Sequence, residues 1–181
     1  MKTIIKLLFV AILYIIANQT LAAQDEQIAN KLFYAEFAGP GIIMSANMDS
    51  RFKPKSRIGL GFRIGAGFGL KRFDDKEVEE GDNERVLRTV YALPVGINYI
   101  FGKPNSSYAF EVGGGVSLLS RSASFYDYGI KKEGNMIGFF TFMYRFAPVD
   151  GGMSFRVGFT PIIGTAGDLF PMGAIGFGYA F

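Results

Sequence analysis

Residues 57–70 read RIGLGFRIGAGFGL, with Gly or Arg at every odd position and Ile, Leu, Phe or Ala at every even one. Such period-two alternation predicts a strand with one bulky apolar face and one small or charged face. The pattern recurs. Over residues 87–101 the odd set (Leu87, Thr89, Tyr91, Leu93, Val95, Ile97, Tyr99, Phe101) faces away from Arg88, Ala92, Pro94, Gly96 and Asn98. Residues 108–118 set Tyr108, Phe110, Val112 and Val116 against Ala109, Glu111, Gly113, Gly115 and Ser117. Residues 136–146 set Phe140, Phe142, Tyr144 and Phe146 against Thr141, Met143 and Arg145, with Phe139 out of step. Residues 153–161 set Met153, Phe155, Val157 and Phe159 against Ser154, Arg156, Gly158 and Thr160. Residues 174–181 end the chain with Ile175, Phe177, Tyr179 and Phe181 against Ala174, Gly176, Gly178 and Ala180. With no comparable helical period after the N-terminal segment, the chain is predicted to be all-β.

The connections come in two lengths. Residues 102–106 and 147–152 are compact, turn-forming sequences, whereas 71–85, 120–134 and 162–172 are long. Alternating short and long connections predict an up-and-down meander with turns at one end and loops at the other, the asymmetry of a transmembrane barrel. Between residues 32–38 and 42–48 the polar parity flips, so Gly39-Pro40-Gly41 reads as a bulge in one long strand or a tight turn between two short ones. An even strand count with the C-terminus at the short-turn end favours the turn, and hence eight strands.

The two faces decide the setting. A soluble barrel keeps its large apolar residues inside, but here the other face is mostly Gly and Ala, a poor solvated exterior. If that small face lines a narrow eight-stranded interior, the bulky face meets lipid. Aromatic residues gather beside the short turns: Tyr99, Phe101, Tyr108, Phe110, Tyr144, Phe146, Phe155, Tyr179 and Phe181. They read as one girdle at the headgroup level. The alternative is the apolar core of a sandwich.

Residues 1–23 read as a signal peptide, with Lys2 and Lys6, an apolar run from Leu7 to Ala17, and Leu21-Ala22-Ala23 before a polar segment. That run is shorter than the ~20 residues a membrane helix needs. Residues 24–181 then form one β-barrel domain. The 19 basic residues less Lys2 and Lys6 leave 17 against 16 acids, so the mature chain is almost neutral and no nucleic-acid partner is expected. Cys and His are both absent, which removes disulfides, thiolate metal sites, the usual general base and lipidation at the cleavage site.

In Glu36-Phe37-Ala38-Gly39-Pro40-Gly41, residues 59–65, Leu93-Pro94-Val95-Gly96-Ile97-Asn98-Tyr99, residues 110–115 and residues 155–161, the chain resembles small outer-membrane β-barrel proteins of Gram-negative bacteria, in an uncharacterised Bacteroidetes-type family. The likeness covers nearly the whole mature chain. It implies residence in the cell outer membrane among its lipids. It also implies that Phe177, Tyr179 and Phe181 form the aromatic-ended signal read by the barrel assembly machinery during insertion. It supplies no catalytic motif.

The small face carries Glu36, Arg63, Arg88, Asn98, Glu111, Arg145 and Arg156 as a candidate polar cluster of the lumen. Charges in a narrow interior of low dielectric must be paired, so a salt-bridged plug that fixes register is expected ahead of an ion path. Ser117, Ser154 and Thr160 share that face, but no His is present to activate them, and neither catalytic, cofactor nor metal site is expected. The segment FDDKEVEEGDNER, residues 73–85, carries seven carboxylates without calcium-loop spacing and reads as a solvated external loop. Residues 120–134, with Phe125, Tyr126 and Tyr128, read as a second loop able to meet a partner or a glycan. Gly65-Ala66-Gly67-Phe68-Gly69 and Gly113-Gly114-Gly115 are no phosphate loops, since no helix follows either. The expected protein is a monomeric, non-enzymatic barrel with a plugged lumen and a structural or surface-interaction role through its loops. The alternatives are a porin-like narrow pore for ions or small solutes, and a secreted soluble lipid-binding barrel.

Overall fold

Each alternating segment forms a strand. The computed structural model describes residues 28–74, 85–120, 135–164 and 167–181, with backbone alone for 71–74 and 85–88. The expected signal peptide and most of the two long loops, 75–84 and 121–134, lie outside the described residues. Chain order is β1 (Lys31–Ala38), a 3-10 turn (Gly39–Gly41), β2 (Met44–Arg51), β3 (Gly59–Asp74), β4 (Arg85–Gly102), β5 (Tyr108–Leu119), β6 (Met136–Phe146), β7 (Gly152–Phe159), β8 (Ile162–Ile163), β9 (Leu169–Phe170) and β10 (Gly173–Ala180).

Every neighbour is antiparallel, and pairing of β1 with β10 closes the sheet. Ile162 with Phe139 keeps the register set by Phe142 with Phe159, so β8 prolongs β7. Ile162 with Phe170 likewise makes β9 the start of β10. The result is a closed eight-stranded barrel. Residues 162–172, expected as a loop, therefore carry paired strand. Pro161 and Pro171 lack the N–H that a continuous ladder needs, but they leave the register unchanged.

The register also sets the width. Successive partners Phe33, Met48, Ile64, Val95, Val116, Gly138, Ile163 and Leu169 return to the β1–β10 register at position 43, a stagger of ten residues from position 33. Eight strands with that stagger tilt by roughly 35–45° and enclose an interior just wide enough for side chains.

The two faces divide as the alternation predicts. Phe62, Val95 and Phe142 are 38%, 39% and 42% exposed on the outer wall, whereas Arg63 and Glu111 are 1% and 0% exposed inside. Girdle rings touch along the outside beside the short turns: Tyr99 with Phe101 at 4.5 Å, Tyr108 with Phe146 at 5.3 Å, and Phe155 with Phe177 at 5.1 Å between centroids. Phe139, out of step in the sequence, points inward.

Gly39-Pro40-Gly41 is a turn, and it folds into the barrel mouth. All three residues are buried. Ile42 packs on an apolar layer formed by Val90, Ala92, Leu119, Ile137, Phe139 and Ile162. Room for the turn comes from β3, where a Cβ on Gly67 would lie 2.8 Å from the Gly41 carbonyl oxygen. Ala38 and Ile42, at φ of 60° and 78°, hold the left-handed backbone that makes this inward bend.

Candidate functional site

Below the apolar layer the interior is ionic. Inward positions alternate along each strand, so Glu36 enters from β1, Asp49 and Arg51 from β2, Arg63 from β3, Asn98 from β4, Glu111 from β5, Arg145 from β6 and Arg156 from β7. β10 contributes space instead. A Cβ on Gly176 would meet Arg156 Cγ at 2.7 Å, and one on Gly178 would meet Tyr34 Cβ at 2.5 Å.

These side chains form one connected network. Arg63 Nη2 donates to Glu36 Oε2 at 2.7 Å. Arg156 Nη2 donates to Glu111 Oε1 at 2.7 Å, and its Nη1 lies 3.8 Å from Glu36 Oε1. Arg145 Nη2 lies 2.6 Å from Glu111 Oε2 and donates to Asp49 Oδ2 at 2.8 Å. Asn98 Nδ2 donates to Asp49 Oδ2 at 2.5 Å and to Glu111 Oε1 at 3.0 Å, while its Oδ1 accepts from Arg51 Nη2 at 2.5 Å. Arg51 also pairs with Asp49. Aromatic faces complete the cradle, with the Arg156 guanidinium 4.5 Å from the Tyr34 ring centroid and that of Arg63 5.5 Å from the Phe139 centroid. This accounts for the inward Phe139: it supplies a π face to a buried cation.

Of the seven residues expected in the lumen, Glu36, Arg63, Asn98, Glu111, Arg145 and Arg156 come together here. Arg88 lies on β4 where only the backbone is described. Asp49 and Arg51 were not anticipated, although Ser45, Asn47, Asp49 and Arg51 run on one parity. Tyr34 shares the inward parity of Glu36 on β1. Phe177, Tyr179 and Phe181 are exposed, on the outside of the last strand and at its end.

Arg57, at the end of the 52–58 connection, closes the other mouth. Its Nη1 donates to the Ser106 carbonyl in the β4–β5 turn and its Nη2 to the Ala147 carbonyl in the β6–β7 turn, the latter at 2.5 Å. Burial, followed by the neighbouring Arg145, holds the Arg57 pKa below its ordinary value. The lumen hydroxyls of Ser117, Ser154 and Thr160 also have partners. Ser117 donates to the Pro40 carbonyl at 2.8 Å, Ser154 to the Phe146 carbonyl at 2.7 Å, and Thr160 to the Met143 sulfur at 3.8 Å. The arrangement therefore joins strands by charge and occupies the bore.

No family model, no curated protein and no solved structure matches this chain.

Proposed function

We propose that the protein is a monomeric, non-enzymatic barrel of the cell outer membrane, with a structural or surface-interaction role carried by the connections at the loop end. In this reading its lumen conducts neither ions nor solutes. The observation that carries the proposal is the inversion of the two faces, with bulky apolar side chains outward on every wall and guanidinium–carboxylate pairs inside. Outward apolar side chains such as Phe33, Ile97 and Tyr91, 55%, 59% and 65% exposed, are costly in water and favourable in hydrocarbon. A closed barrel satisfies its backbone without an edge, as lipid demands. The twelve residues of β5, at a rise of ~3.3 Å and a tilt of ~40°, climb about 30 Å, enough for an apolar band of ~25 Å.

Closure at both mouths supports a sealed lumen: the inward turn and its apolar layer at one end, Arg57 at the other. An interior occupied by ion pairs also disfavours a lipid-carrying soluble barrel. The exposed Phe177, Tyr179 and Phe181 suit recognition by the barrel assembly machinery during insertion. Cell fractionation with heat-modifiable gel migration tests residence and closure together; recovery as a stable aqueous monomer without detergent overturns the membrane reading. Conductance in planar bilayers tests the sealed lumen, and a persistent open current replaces it with a narrow pore.

A further inference from the structure

We propose that the short-turn mouth holds a binding site for one halide-sized inorganic anion, formed by the guanidinium groups of Arg51, Arg57 and Arg145. The inference goes beyond the membrane reading and stands without it. Its first ground is charge. Among the described buried residues, five arginines (Arg51, Arg57, Arg63, Arg145, Arg156) face three carboxylates (Glu36, Asp49, Glu111), an excess of two positive charges.

The excess is localised. Deep in the bore Arg63 is matched by Glu36 and Arg156 by Glu111. Towards the mouth, Asp49 is shared by Arg51 and Arg145, and Arg145 borrows a second contact from the already engaged Glu111. Arg57 has carbonyl partners and no carboxylate among the described residues. Uncompensated charge in a protein interior is costly, so the mouth favours a counterion.

The second ground is space with free donors. Arg51, Arg57 and Arg145 line one cavity together with Asn30, Leu32 and Ile100. It offers about 20 Å3 to the centres of water-sized guests. A single water needs ~10–15 Å3 by that measure, so the cavity suits one or two such guests, and a monatomic anion better than a tetrahedral oxyanion. Arg51 and Arg145, each 5% exposed, both have a buried Nε–H without an acceptor among the described residues. The depressed Arg57 pKa agrees with this, a cation held away from water and near the cationic Arg145.

The test is chlorine-35 NMR on the refolded full-length chain in zwitterionic detergent, at constant ionic strength set with gluconate. We expect protein-dependent line broadening that saturates with chloride and is displaced by bromide but not by sulfate. In Arg57→Gln the affinity should fall at least tenfold. Absence of protein-dependent broadening, equal displacement by sulfate, or native affinity in a folded Arg57→Gln overturns the proposal. If that variant does not fold, anomalous diffraction from bromide-soaked crystals of the native chain decides. A peak among the three guanidiniums supports the site, and a map without one there refutes it.

Discussion

Replacing Glu111 with alanine removes the carboxylate on which the deepest part of the network converges. It takes contacts from Arg156 at 2.7 Å, Arg145 at 2.6 Å and Asn98 at 3.0 Å, and is wholly buried. Without it, the carboxylates left among the described residues are Glu36 for Arg156, at 3.8 Å and already engaged by Arg63, and Asp49 for Arg145. The buried balance moves from five cations against three anions to five against two. Breaking a buried pair by deleting one partner costs ~3–5 kcal/mol, most of it from the charge left behind. Urea unfolding in detergent micelles, followed by circular dichroism, should show a loss of that size. Glu111→Gln should lose less, ~1–3 kcal/mol, because the amide keeps one acceptor oxygen while turning an N–H2 towards a site crowded with donors. If stranded charge is the cause, removing Arg156 as well must restore part of the loss, giving a coupling energy of ~1–3 kcal/mol in the double-mutant cycle. A Glu111→Ala midpoint equivalent to less than ~0.5 kcal/mol of loss, or strict additivity in the double variant, would refute the reasoning.

Three further perturbations probe other parts of the molecule. Val95→Arg places a charge on the outer wall between Ile64 and Val116; in a bilayer it should cost ~2–4 kcal/mol of folding free energy in vesicles, and an unchanged value would mean that this face is wet. Ala38→Gly relieves a left-handed residue whose strain is worth ~1–3 kcal/mol, against ~0.5–1 kcal/mol for glycine's extra freedom in the unfolded chain. A gain of about 1 kcal/mol in the same urea assay is expected, and a loss would contradict the inward bend of the turn. Gly65→Ala puts a Cβ 2.8 Å from the Ala46 carbonyl oxygen and closer still to the Asn47 amide, which accepts from Arg63 at 3.4 Å. The overpacking should cost ~1–3 kcal/mol in the chemical-denaturation midpoint, and a neutral outcome would show slack in the bore.

How far the alternation carried depended on what kind of contact fixed each residue. Glu36, Arg63, Asn98, Glu111, Arg145 and Arg156 were legible because each sits in a period-two run, where parity alone assigns the face. Asp49 and Arg51 share the parity of Ser45 and Asn47 and were missed only because the strand was ended at Met48, three residues before its observed end. Arg57 shows the opposite error: alternation drew it into β3, whereas the strand begins at Gly59 and Arg57 spans the mouth. Phe139 was out of step because size was taken as the mark of the outer face, and a buried guanidinium can also require an aromatic face. The inward fold of residues 39–42 lies beyond any local pattern. It depends on Gly67 and Gly69 across the interface with β3, where a Cβ on Gly69 would collide with Ile42.

The ionic interior has a consequence that its stability alone does not capture. Buried ion pairs can often be exchanged for apolar side chains of similar volume at no loss of stability, so folding energy does not by itself account for five arginines in a narrow bore. Slipping any strand by one residue exchanges its two faces. With both faces apolar, that exchange would be nearly neutral, since Phe, Ile and Leu suit a hydrocarbon exterior and a dry core almost equally. With Glu36, Asp49, Glu111 and the arginines on one face, a one-residue slip turns charges outward and leaves their partners unpaired within, a penalty of several kcal/mol for each strand that carries them. The glycines enforce the same choice sterically, because Gly61, Gly65, Gly176 and Gly178 stand where Arg51, Asn47, Arg156 and Tyr34 need room. Register, bore volume and charge pairing are therefore one constraint. On this argument an all-apolar lumen of equal volume would keep much of its stability but populate alternative registers, visible as doubled amide resonances along β1 and β2, which at eight residues each are the shortest of the eight barrel strands.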